Sequence, residues 1–428
     1  MALQAARSRM EPTDPATITL PAGGKWITGV RKAAKARLVA MGLPGRRDEY
    51  WKYTRPDALI APEPARAALL TTDEKPVFDQ VDRLKLVFVD GKLDLAASDP
   101  LAMAEIEIET LPNGAKRDLH WAQGMFGALE ARGQNPVPRP LAALNTTLAE
   151  EGLLIRVTGV APRPICLHYV RENPDADAMV RHLIRLEPGA SLTLLENGPA
   201  AARLNAVTEV DIADGAAFHH IRTQGRDHAR QAATHLFASL GKGSEFKSFT
   251  LTVNGILTRN ECVIDLTGDD ASATVSGASV GDGDFHQDDT VFVTHQGANC
   301  ASRQVFKKVL RNGATGVFQG KILVEPTAQK TDGYQISQGL LLDEDSQFLA
   351  KPELEIYADD VACSHGSTVG AIDETALFYL TSRGIPRNLA QDMLVLAFLA
   401  EALGEIGDAG IRADIQARLE GWIERHRA

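Results

Sequence analysis

The chain has 428 residues, long enough for a large core and more than one domain, and 56 acidic against 45 basic residues give it a net charge of −11. No Lys/Arg cluster offsets that balance, which argues against a nucleic-acid backbone or an anionic membrane as partner. Four cysteines (Cys166, Cys262, Cys300, Cys363) lie far apart with no CxxC, a reduced cytoplasmic inventory and not a disulfide framework.

The first residues carry Arg7 and Arg9 and no apolar stretch, so no signal peptide is legible, and no apolar run approaches the ~20 residues of a membrane span. Residues 25 to 41 repeat apolar side chains near the 3.6 period, with Lys and Arg between them, and Gly42 and Pro44 follow. That pattern predicts an amphipathic helix. Weaker helical patterns cover 119 to 132 and 140 to 151, so residues 1–150 are expected to form a mostly helical region.

A β-repeat follows. Gly189-Ala190-Ser191-Leu192, Gly215-Ala216-Ala217-Phe218, Gly243-Ser244-Glu245-Phe246, Asp270-Ala271-Ser272-Ala273 and Gly297-Ala298-Asn299-Cys300 start 26, 28, 27 and 27 residues apart. Short alternating β-branched runs lie between these turns. A beat of that length predicts stacked coils, a β-solenoid over 151–372. A sandwich with evenly spaced hairpins is the alternative. The alignment of the five turns places Cys300 in the slot of Leu192, Phe218, Phe246 and Ala273, an interior packing position. His219 and His220 are adjacent and face opposite sides of a strand; with His228, His235, His286 and His295 they show no metal spacing.

Alternation of Val361, Cys363 and His365 predicts a strand that holds a thiol and an imidazole on one face, roughly 7 Å apart. Such a pair suits iron or zinc; a packed small residue beside a hydrogen-bonded histidine is the plainer reading. Beyond it, Asp373 is the expected N-cap of a helix closed by Gly384, and Pro386 opens a strongly apolar helix to about Leu403, followed by an amphipathic segment over 411–425. Residues 373–428 are therefore expected to be helical. No G-x-x-x-x-G-K-[ST] cradle and no G-x-S-x-G elbow is present.

Several ordered motifs belong together. Arg47-Asp48-Glu49-Tyr50-Trp51-Lys52-Tyr53-Thr54, the block from His286 to Ile322, Ala328-Gln329-Lys330-Thr331-Asp332, Lys351-Pro352-Glu353-Leu354-Glu355-Ile356, Cys363-Ser364-His365-Gly366 and Ser382-Arg383-Gly384-Ile385 resemble the SufB/SufD family of iron–sulfur cluster assembly scaffold subunits. Leu380 follows Leu377-Phe378-Tyr379 where the SufB branch carries a cysteine, so the wording is similar to the SufD branch. The resemblance implies a right-handed parallel β-helix flanked by helical regions, and a cytoplasmic scaffold that is not itself an enzyme. It implies pairing with a SufB-like subunit around residues 353 to 369, a self-pair when that partner is absent, and recruitment of a SufC-like ABC-type ATPase through the C-terminal helices. His365 is then the expected metal contact, with Cys363 beside it, for an iron–sulfur cluster held only transiently in the complex; the isolated chain is expected to hold no tight cofactor. A β-helix polysaccharide lyase or a solenoid acyltransferase is the alternative that shares the architecture.

Overall fold

A computed structural model describes residues 13–69, 76–117, 120–225 and 227–425. Arg7 and Arg9, and residue 119 at the start of the second expected helix, lie outside the described residues.

The repeat folds as predicted, into two facing ten-stranded sheets. The chain alternates between them, so each strand pairs in parallel with the strand two further along, from Ile165–Val170 to Val361–Gly370 in the front sheet and from Leu153–Val157 to Gln347–Ile356 in the back sheet. Left-handed residues punctuate the turns that enter the front strands: Gly189, Gly215, Gly243, Asp270, Asn299 and Lys330, all with φ between 56° and 72°. Glycine, Asn and Asp tolerate that conformation, which explains the sequence beat.

In the fifth turn the left-handed residue is Asn299 and not Gly297, which shifts the predicted register by two. The slot of Leu192, Phe218, Phe246 and Ala273 is therefore continued by Ser302, then Gly333, then Cys363. Cys300 belongs instead to the turn, fully buried, with its thiol directed at the Gly268 carbonyl at 3.2 Å.

Apolar side chains such as Leu194, Phe218, Ile264 and Phe318 fill most of the lumen. A buried polar chain also runs through it. Lys308 pairs with Asp289 at 2.6 Å, Asn260 links Asp289 to Thr234, and Arg222 links Thr234 to Glu196, which also holds His220 at 2.9 Å. Arg222 and its neighbours outweigh the desolvation of Glu196 and hold its carboxyl far below the usual range.

The ends of the solenoid differ. At the start, Leu84–Val89 adds in parallel to the front sheet and carries the antiparallel strand Lys92–Asp94, while Ala102–Met103 and Ile106–Thr110 close the back sheet. Residues 1–150 were expected to be mostly helical; the alternating Leu84-Lys85-Leu86 and Ile106-Glu107-Ile108 runs within them form strands that cover the edges of the first coil. The helix Lys25–Met41 appears with the expected bounds, and Pro140–Leu148 packs beside it. At the far end no further strand, among the described residues, pairs with the last ones. The helices Arg387–Gly404 and Ala409–Arg425 pack instead on the outer face of the front sheet, through Val395, Leu399, Ile415 and Leu419 against Leu251, Val280 and Val309. Asp373 caps Glu374–Thr381 as expected, accepting from the backbone N–H groups of Thr375 and Ala376. Among the described residues no helix is long and apolar enough to cross a membrane.

Three buried imidazoles make the fold acid-sensitive. Burial pushes His182, His235 and His295 down to about 4, against ~6.5 in an unfolded chain. The unfolded chain takes up these protons first, so the stability these three groups contribute is complete above about pH 6.5 and is lost as pH falls towards about 4. Thermal melts between pH 8 and 4 should give a flat melting temperature down to about 6.5 and a steep fall below it. A profile level to pH 4.5 contradicts neutral burial.

Candidate functional site

Among the described residues, the strand Val361–Gly370 is the last of the front sheet and pairs on one side only, with Thr331–Leu341, and Gln347–Ile356 is last in the back sheet and pairs only with Thr315–Val324. Both free edges lie at the same end of the solenoid, and most residues of the last front strand are exposed.

The face of His365 follows from its neighbours on the strand. Val361 and Cys363 pack inward against the cluster of Ile322, Val324, Ala328 and Ala358. Ser367 meets the buried Ser337 hydroxyl at 2.8 Å. His365 lies between Cys363 and Ser367 and shares their inward face. Its place in the last coil leaves it exposed, at the mouth of the lumen. Cys363 is half-buried just inside, above Gly333, where an added Cβ would stand 3.1 Å from its Sγ. The expected side-by-side pair of thiol and imidazole is therefore present at an open edge.

Their chemistry differs. Burial raises the Cys363 thiol above its ordinary value, so in the isolated chain the sulfur is protonated at neutral pH and becomes a ligand only when a cation displaces the proton. Burial pushes Cys166 and Cys262 up to about 12 and also raises Cys300, which leaves Cys363 the most open of the four thiols. Among the described residues no group of three or more His, Cys, Asp or Glu is arranged to hold a metal. Cys363 and His365 supply at most two donors, too few to enclose an iron–sulfur cluster. Four of the other histidines are held by hydrogen bonds within the fold. His219 faces out to Glu245 and His220 in to Glu196, on opposite sides as predicted, and His286 meets Thr54 while His295 meets Ser302.

The motif around Tyr50 proves to be a clasp on this end. Tyr50 donates its hydroxyl to Glu353, Lys351 bonds Glu49 at 2.7 Å and lies 3.9 Å from the Tyr50 ring, and Arg259 holds the Tyr50 carbonyl. Thr54 donates to Asp288 at 2.5 Å, and Arg259 stacks on Trp51 at 4.2 Å. This segment thereby fixes the last back strand, a role that its sequence spacing does not reveal. Gln304 and Gln335, buried inside the final coils, were equally silent in the sequence.

Residues 169–398, more than half of the chain, match the family described as SUF system FeS cluster assembly, SufBD core domain. The chain belongs to that family. Among curated SufBD relatives, the iron–sulfur cluster assembly protein SufD of Escherichia coli is 29% identical over 90% of this chain and 90% of its own length. An iron–sulfur cluster assembly SufBD family protein of Synechocystis is 27% identical over 91% and 90%, and SufD of Bacillus subtilis is 28% identical over 66% and 67%. The SufBD chain described here is thus a SufD-type scaffold subunit of the Suf iron–sulfur assembly system. The polysaccharide lyase and acyltransferase alternatives fall with that membership.

Proposed function

We propose that this SufD-type scaffold pairs end to end with a SufB-type subunit through its two open strands, and that His365, supported by Cys363, contacts iron and sulfide at the seam. The observation that carries this reading is the asymmetry of the solenoid: one end is closed by short antiparallel strands, and the other presents two unpaired edges around an imidazole and a thiol. Unpaired edges extend a sheet across two chains, and a partner's donors complete a site that two side chains cannot close. Ile356, Tyr357 and Val369 add exposed apolar surface at the same end. Without the SufB-type partner, a second copy of this chain uses the same edges.

A second surface suits a SufC-type ATPase. Phe378, Tyr379, Leu389 and Met393 on the two helices after the solenoid are 72%, 55%, 40% and 43% exposed, large apolar side chains left uncovered on consecutive helices. Co-expression with SufB-type and SufC-type subunits tests both contacts. A stable complex carrying iron and sulfide is expected; a chain that co-purifies with neither contradicts the reading. Cys363→Ser should reduce recovered iron and sulfide about two- to five-fold, less than loss of the imidazole, because an alcohol is a poor iron ligand but fills the same space. Normal loading of the serine variant removes the thiol from the site.

A further inference from the structure

The lumen directly beneath His365 is unexpectedly polar. Gln304, Gln335 and His365 stand in register on three successive front strands. Both glutamines are fully buried, and among the described residues neither the oxygen nor the nitrogen of either amide has a hydrogen-bond partner. Unpartnered buried amides are rare and costly, and leucine or methionine would fill the same space without that cost. The facing wall is shaped to admit one of them: a Cβ on Gly320 would lie 1.6 Å from Nε2 of Gln335. Parallel strands are ~4.8 Å apart, which puts the Gln335 side chain within reach of the ring above, and its terminal torsion turns easily.

We propose that Gln335 is a positioning residue for His365, with Gln304 bracing it from below. When a partner covers the mouth and iron takes one imidazole nitrogen, the Gln335 side-chain carbonyl accepts the N–H of the other. A histidine that binds a metal is usually oriented in this way, through the hydrogen bond of its second nitrogen. The inference rests on the role of His365 proposed above.

The test uses the full-length chain in complex with SufB-type and SufC-type subunits, loaded anaerobically with ferrous iron alone. Gln335→Leu should lower retained iron at least about ten-fold. Pairing should be unchanged and the melting temperature equal or higher, because two unpartnered polar atoms leave the interior. Gln335→Glu, which keeps an acceptor oxygen, should retain more iron than the leucine variant. Full iron retention by Gln335→Leu alongside a loss in His365→Ala overturns the positioning role and leaves His365 in place. Full retention by both variants overturns both. Iron lost in step with pairing and melting temperature shows a merely structural glutamine and also overturns the inference.

Discussion

Replacing His365 by Ala should reduce the iron and acid-labile sulfide recovered with the complex at least about ten-fold, with pairing and folding intact. The imidazole is exposed at the mouth, and the last strand is held by its ladder to Thr331–Leu341 and by inward contacts of Val361, Cys363 and Ser367. Truncation at Cβ removes none of these. The expected pattern is therefore a functional loss without a stability loss, read by iron and sulfide analysis beside a thermal melt. Normal loading of the alanine variant would falsify the assignment; a parallel loss of pairing would make His365 a structural edge residue.

Replacing Glu209 by Ala should cost about 3–5 kcal/mol of stability, because it leaves a buried cation unpaired. Glu209 lies on the outer face of the back sheet, fully buried, 2.7 Å from the equally buried Arg181. Its carboxylate also accepts the backbone N–H groups of Gly127 and Glu130 at 2.8 and 2.9 Å. Arg181 in turn holds Asn145 and Thr146 and lies 4.7 Å from the Phe126 ring. One side chain thus fastens the N-terminal segments to the solenoid. Domains carry only ~5–15 kcal/mol in total, so the alanine variant should show a large drop in denaturant midpoint and poor soluble yield. Glu209→Gln keeps an acceptor oxygen and should lose less. A midpoint within experimental error of the parent for the alanine variant contradicts the account.

Legibility in the sequence followed how local each signal was. The solenoid was readable because every coil needs a left-handed turn residue, and Gly, Asp and Asn mark those turns at a nearly constant interval. Position inside a coil was less secure: the fifth turn carries glycine at Gly297 but bends at Asn299, so Cys300 was set two residues out of register and Cys363 proved the true continuation of the slot. The strands at 84–110 were missed because short edge strands have too few alternations to stand out from a helical neighbourhood. The Cys363–His365 face was legible from period two alone. Gln335 was not, since its significance lies in a register with His365, 30 residues away in sequence, and in missing partners that only the packed lumen reveals. The Tyr50 clasp reaches across some 300 residues to Glu353, a contact no spacing could announce.

On the proposal made here, another subunit seats on the open end of the solenoid, with His365 at its mouth. Amide hydrogen exchange, followed by peptide mass spectrometry on the chain alone and bound to a SufB-type subunit, addresses it most directly. Binding should slow exchange in residues 347–356 and 361–370, with no comparable change in the strands at 84–110. Protection confined to those first strands or to the outer helices, with the last two strands exchanging as fast as before, would contradict it.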